Sequence, residues 1–181
     1  MMRIPFIFGI TVLLIFMVSC QSGSKAVDAF EQNEKLGRGV NILGYDPIWD
    51  SFEKARFKAH HFKLIREAGF NTVRINLHPF RHMDPTTFEL REHWWKVLDW
   101  AVENALANGL MIILDMHEYH AMADDPVARK NMWLTFWKQV AERYQNSSDD
   151  VLFELLNEPN GKLNSELWND FLLEGLAVVR N

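Results

Sequence analysis

Thr72-Val73-Arg74-Ile75-Asn76-Leu77-His78 is the stretch on which the reading of this chain turns. Successive side chains of a strand point to opposite faces. Val73, Ile75 and Leu77 therefore make one face apolar, while Arg74, Asn76 and His78 make the other polar. The pattern recurs twice. Ile112, Leu114 and Met116 oppose Ile113, Asp115 and His117, and Val151, Phe153 and Leu155 oppose Leu152, Glu154, Leu156 and Glu158. In each case the apolar face suits contact with helices, and the other face becomes ionisable toward the strand's C-terminal end.

Working outward, a further short run, Val40 to Leu43, reads as a strand, and helix-period segments fill the intervals. Ser51 to Ala68, Thr86 to Asn108, Pro126 to Tyr144 and Asn164 to Val179 each carry an apolar stripe, two of them stopped by Gly69 and Gly109. Four strand-helix units in a row predict an α/β domain with a parallel sheet. Strands starting near residues 40, 72, 111 and 151 have the pitch of a (β/α)8 TIM barrel, eight units of which need roughly 300 residues. Polar strand ends suit a barrel interior opening into an active site. A Rossmann sheet would carry a Gly-rich turn after its first strand, and Asn41-Ile42-Leu43-Gly44-Tyr45-Asp46 holds no phosphate-cradling pattern. About the first four βα units of a barrel are expected over residues 37–181, as a truncated N-terminal half.

The composition agrees with a packed core: 48% of the 181 residues are hydrophobic and 24% charged. A net charge of -5 provides no electrostatic footprint for nucleic acid. Residues 1–19 begin with the basic Arg3 and continue as an apolar run from Ile4 to Val18, a signal-peptide pattern too short for a membrane span. The run ends in Met17-Val18-Ser19-Cys20, which resembles the lipobox of bacterial lipoproteins. That resemblance implies cleavage before Cys20, lipid attachment at Cys20, and residues 20–36 as a tether, with the membrane reached through the lipid alone. Gln21, where an inner-membrane retention signal would place aspartate, points to the outer membrane. The alternative is an ordinary secretory signal with an incidental cysteine.

The polar strand ends hold Asn41, Arg74, Asp115, His117, Asn157 and Glu158. Glycoside cleavage needs a general acid at the leaving oxygen and a second carboxylate as nucleophile or base. Glu158, followed by Pro159, is the candidate acid. Arg74 is placed to pair with Glu154, since second and fourth strands of a barrel share side-chain layers. Asp115 reads as an interior hydrogen-bonding residue. His117-Glu118-Tyr119-His120 falls one residue short of the zincin spacing and follows a strand, so no metal and no cofactor is expected. Trp94, Trp95, Trp100, Trp133, Trp137 and Trp168 fall on predicted helices and read as packing, whereas Tyr45, Trp49, Phe80, His82 and Tyr119 follow strands and are the better sugar-subsite candidates.

Four motifs in order, Gly37-Arg38-Gly39-Val40-Asn41, Gly69-Phe70-Asn71-Thr72-Val73-Arg74-Ile75, Leu114-Asp115-Met116-His117-Glu118-Tyr119 and Phe153-Glu154-Leu155-Leu156-Asn157-Glu158-Pro159, resemble the first four strand motifs of glycoside hydrolase family 5, the cellulase family. The resemblance implies a retaining β-glycanase, with a β-1,4-linked glucan as substrate. It implies Glu158 as acid/base, Asn157 holding the sugar hydroxyl beside the scissile bond, Arg74 orienting the nucleophile, and His117 lining the same subsite. Family members take the nucleophile from the seventh strand, which has no counterpart in these residues. The alternative reading is a non-catalytic remnant that binds carbohydrate or pairs with a second half-barrel.

Overall fold

The computed structural model describes residues 28–180. The signal-peptide reading of 1–19, the lipid site Cys20 and the tether up to residue 27 lie outside the described residues.

Four parallel strands, β1 (Gly39–Ile42), β2 (Thr72–Leu77), β3 (Met111–Met116) and β4 (Val151–Glu154), form one sheet in that order. Helices α2 (Ala59–Glu67), α3 (Glu92–Ala107) and α5 (Pro126–Tyr144) connect them, with the short α4 (Tyr119–Asp124) ahead of α5 and α6 (Ser165–Arg180) after β4. This is the N-terminal part of a (β/α)8 barrel. Register aligns Asn41 with Arg74, and Asn76 with Asp115 and Asp115 with Glu154, so the polar face is built in rows.

The apolar face closes as the alternation predicts. Val73, Ile75, Leu77, Ile112 and Leu114 are fully buried in one core with Phe62, Trp94, Trp133, Phe136 and Trp137. Each buried Leu or Ile contributes roughly 1.5–3 kcal/mol. Exposed ion pairs such as Lys63–Glu67 and Lys96–Glu92 contribute about 0–1 kcal/mol. The core layer therefore holds the sheet. Among the described residues no helix is long and apolar enough to cross a membrane.

The structure departs from the sequence expectation in four places, each for a local reason. Within 20–36, read as tether, Ala29–Leu36 forms a helix, α1, capped by the Asp28 carboxylate accepting from the amides of Phe30 and Glu31. It lies against the N-terminal ends of the strands, where Gln32 donates to the Asp149 carbonyl and the Thr72 hydroxyl donates to that of Leu36. The segment Ser51 to Ala68 is two pieces, a 3-10 turn Phe52–Lys54 and then α2. The Asp46 carboxylate accepts from the amides of Arg56 and Phe57, which holds the intervening backbone out of a helix. Helix α3 starts at Glu92 rather than Thr86, because Asp84 accepts from the amides of Thr86 and Thr87 and Met83 bridges antiparallel to Leu90. Finally, β4 ends at Glu154, short of the alternation read through Leu156 and Glu158, with consequences for the site.

Candidate active site

At the C-terminal mouth of the sheet, Arg74 of β2 ties all four strands together. Its Nε donates to Oε2 of Glu154 at 2.7 Å and its Nη2 to Oε1 at 2.6 Å, a two-pronged pairing of fork with carboxylate. Nη2 also faces Oδ2 of Asp115 on β3 at 3.0 Å and Oδ1 of Asn157 at 3.0 Å, while Nη1 reaches Oδ1 of Asn41 on β1 at 3.3 Å. The pairing expected between Arg74 and Glu154 is present. Hydrogen bonding to Glu154, reinforced by the charges of Asp115, Glu154 and Glu158, holds the guanidinium above its ordinary pKa, so it stays cationic.

Beneath it, Asp115 has no exposed surface. Its Oδ2 accepts from Nδ2 of Asn76 at 3.0 Å and lies 2.6 Å from Nδ1 of His117. Burial, with the negative charge of Glu154 added, pushes its carboxyl above the usual range, against the pull of His117 and Arg74. Asp115 is thus the interior hydrogen-bonding residue expected, and it is also the floor of the cluster.

Strict alternation would turn Asn157 away from Glu154, yet Asn157 enters the Arg74 cluster. The regular strand has ended by then. The Leu155 carbonyl accepts two indole N–H groups from α5, Trp133 at 2.8 Å and Trp137 at 3.0 Å, while the Asn157 amide donates to the Met116 carbonyl at 2.9 Å. Leu155 and Leu156 are both buried, so the parity that placed Leu156 and Glu158 on one face with Glu154 no longer applies. Glu158 itself is exposed and adopts φ 43°, a left-handed conformation uncommon outside glycine, with its carbonyl accepting from Nδ2 of Asn160 at 2.6 Å. Backbone strain of this kind costs about 1–3 kcal/mol and clusters at working sites.

Aromatic groups rim the mouth. Tyr45, 74% exposed, stacks on His78 with ring centres 4.6 Å apart. His78 meets His117 edge-on at 5.3 Å, and His117 meets Tyr119 the same way. Burial, then the neighbouring charges of His117, Arg81 and His82, lowers His78 to about 4, so it is neutral at pH 7. Two subsite expectations need correction. Trp49 is buried, its indole donating to the Leu43 carbonyl and its ring stacked on Trp94, and His82 is buried beside Arg81. Both serve the packing of their loops. Phe80 is half-buried, and its amide donates at 2.9 Å to Oε1 of Glu118. Glu118 thus links the loops after β2 and β3, with burial raising its carboxyl. Among the described residues no group of three or more His, Cys, Asp or Glu is disposed to hold a metal ion.

Glu158, Asn157, Arg74 and His117 are thus brought to one mouth, while Cys20 lies outside the described residues. Sequence reasoning missed Asn76 and His78 as site residues, although both share the face of Arg74. Their alternation was the available signal.

The chain matches the family model described as cellulase (glycosyl hydrolase family 5) over residues 33–181. It is 29% identical over 162 residues to Endoglucanase H of Acetivibrio thermocellus, covering 88% of this chain and 18% of that protein. It is 28% identical over 157 residues to Endoglucanase C of Acetivibrio thermocellus, covering 78% and 45%. Among solved structures it resembles Thermotoga maritima Cel5A in complex with cellobiose, with a TM-score of 0.76 and 35% identity over 84% of this chain and 50% of that one. The chain spans less than half of the two endoglucanases and half of the Thermotoga protein. A four-strand parallel sheet, a polar mouth and a family match over nearly all described residues agree: this chain belongs to glycosyl hydrolase family 5.

Proposed function

We propose that these residues are the N-terminal half of the catalytic barrel of an endo-β-1,4-glucanase, a glycoside hydrolase that cleaves a β-linked glucan with retention of configuration. The observation that carries the reading is the Arg74 cluster, which holds Asn157 at 3.0 Å and so fixes the segment presenting Glu158 at the mouth. In this reading Glu158 protonates the glycosidic oxygen and then serves as base for water, Asn157 holds the adjacent sugar hydroxyl, and His117 lines the subsite. The endoglucanase names of its relatives and the cellobiose bound to the Thermotoga neighbour support the substrate class.

Retention needs a second carboxylate about 5–5.5 Å from the acid. The neighbouring carboxylates are committed elsewhere: Glu154 to Arg74, Asp115 to three nitrogens below, and Glu118 to the Phe80 amide. The nucleophile is therefore assigned to residues beyond these 181. Taken alone, these residues are suited to bind sugar without turnover. For the protein as a whole we further propose export, lipid attachment at Cys20 and anchorage at the bacterial outer membrane.

Glu158→Gln in the full-length protein tests the acid. Loss of a positioned general acid costs about a hundred- to ten-thousand-fold on unactivated β-1,4-glucan. An aryl glycoside with a good leaving group should keep a nearly parental first step. Parental rates of glucan hydrolysis in Glu158→Gln would remove the assignment. Intact-mass analysis of the mature protein checks Cys20, where an unlipidated N-terminus at another residue would refute the anchor.

A further inference from the structure

Three nitrogens converge on Oδ2 of Asp115: Nη2 of Arg74 and Nδ2 of Asn76 at 3.0 Å each, and Nδ1 of His117 at 2.6 Å. A guanidinium can only donate, and an ionised carboxylate can only accept. The His117 nitrogen that faces Oδ2 must then carry the hydrogen. In a neutral imidazole this leaves Nε2 bare, as an acceptor. Among the described residues Nε2 of His117 makes no hydrogen bond, and it is not one of the buried atoms without a partner. It therefore opens on the mouth, on the ring edge away from Asp115.

We propose that Asp115 is a positioning residue of the site: it holds the Nδ1–H of His117 toward its own Oδ2, so that Nε2 of the tautomer this selects meets a sugar hydroxyl as acceptor. The sugar as ligand rests on the function proposed above, whereas the tautomer does not. The arrangement gives the subsite a defined polarity. Arg74 takes Oδ1 of Asn157 and leaves that amide's N–H groups to donate, while His117 accepts. A pair of neighbouring hydroxyls, one receiving and one giving a hydrogen, fits this edge. Nδ2 of Asn76 also lies 3.2 Å from Nδ1 of His117, and because it gives its hydrogen to Oδ2 at 3.0 Å while Nδ1 lies closer to the same oxygen, at 2.6 Å, Nδ1 is left as donor to Asp115.

Long-range proton–nitrogen spectra of the histidine rings in the nitrogen-15-labelled full-length protein at pH 7 test this, with His117 assigned by its loss in His117→Gln. The expected parent spectrum shows a protonated Nδ1 and an unprotonated Nε2. In Asp115→Asn the amide can donate to Nδ1, and the population should move toward Nε2–H. An Nε2–H ring in the parent would overturn the proposal, as it would mean that Asp115 holds the proton itself. An unchanged tautomer in a folded Asp115→Asn would overturn it equally. Should that variant fail to fold, the parent spectrum alone decides. Saturating cello-oligosaccharide should shift the Nε2 signal. The stated tautomer without that shift would remove the sugar part together with the proposed function, while a shift on the opposite tautomer would remove only the role of Asp115.

Discussion

β2 and β4 bring the two halves of the same ion pair to the mouth from opposite surroundings. β2 lies between two strands, and its outward residues Val73, Ile75 and Leu77 are fully buried. β4 has a strand on one side only among the described residues. Among the described residues all four of its residues are partly exposed. Arg74 is thus held by packing, whereas Glu154 and the residues after it are held by polar anchors. Those anchors are the Arg74 fork, the two indoles on the Leu155 carbonyl and the bond from the Asn157 amide to Met116. Among the described residues, β2 is set by strands on both sides, whereas side-chain hydrogen bonds fix the segment that follows β4.

The largest effect on stability should come from removing the fork. Arg74→Met would leave buried Asp115 and half-buried Glu154 adjacent without a cation; the loss of one partner from a fully buried pair costs about 3–5 kcal/mol, an upper bound for this partly exposed cluster. Arg74→Lys keeps the charge but not the two-pronged geometry and should lose less. Denaturant unfolding of both variants measures the difference. Equal stability of parent and Arg74→Met would mean that β4 is held by something other than the fork.

Acid should weaken the loop after β2 next. His78 and His82 are both lowered from 6.5 to about 4, chiefly by burial, with Arg81 also acting on each. Between those values the unfolded chain takes up protons that the native state refuses, so stability falls as pH drops from about 6.5 toward 4, by on the order of 2 kcal/mol for each group. Burial raises Glu118 and Asp115, and their effect has the opposite sign: a raised carboxyl favours the native state as pH falls. His82→Gln isolates the histidine contribution and should flatten the fall in unfolding free energy between pH 6.5 and 4. An unaltered slope would show that His82 titrates normally.

The same contrast governs what could be read in advance. β2 and β3 were legible residue for residue because a strand buried on its outer face must alternate. The Arg74–Glu154 pair was legible because barrel strands two apart share a layer. The Asp115 cluster was visible only as a buried acid, since its three donors come from β2 and from the residue just after β3, in a register that no single strand reveals. Asn157 was read among the polar strand ends, but its bond to Arg74 could not be derived from parity past Glu154, where two indoles from α5 capture the Leu155 carbonyl. The stacking of Tyr45 on His78 joins two loops, and loops have no period from which to extrapolate.

Packing between α5 and α6 is tested at Gly175. A methyl group there would collide with Cη2 of Trp133, so the two helices meet through the absent side chain. Gly175→Ala should cost about 1–3 kcal/mol by overpacking. In a Trp133→Phe background the clashing ring atom is gone, and the same substitution should cost less. The double-mutant cycle reads this coupling from unfolding free energies. Strict additivity would show that α6 yields instead of the ring.

The smallest effect concerns the anchor nearest Glu158. Trp133 and Trp137 donate to one carbonyl, so Trp137→Phe removes one hydrogen bond and leaves the Leu155 oxygen satisfied by Trp133. Its ring packing is largely kept, and the loss should be about 1 kcal/mol or less. Replacing both tryptophans by phenylalanine leaves a buried carbonyl without a partner, which costs about 1–3 kcal/mol in desolvation and exceeds the sum of the single losses once packing is subtracted. The functional readout follows the same logic. With one indole present Asn157 keeps its place on Arg74, so on the function proposed above glucan turnover in the full-length protein should hardly change in Trp137→Phe. With both gone the chain after Glu154 loses its outward tether, and turnover on unactivated glucan should fall while the aryl glycoside's first step is less affected. Full turnover in the double variant would mean that the Arg74 cluster and the Met116 bond suffice to place Glu158.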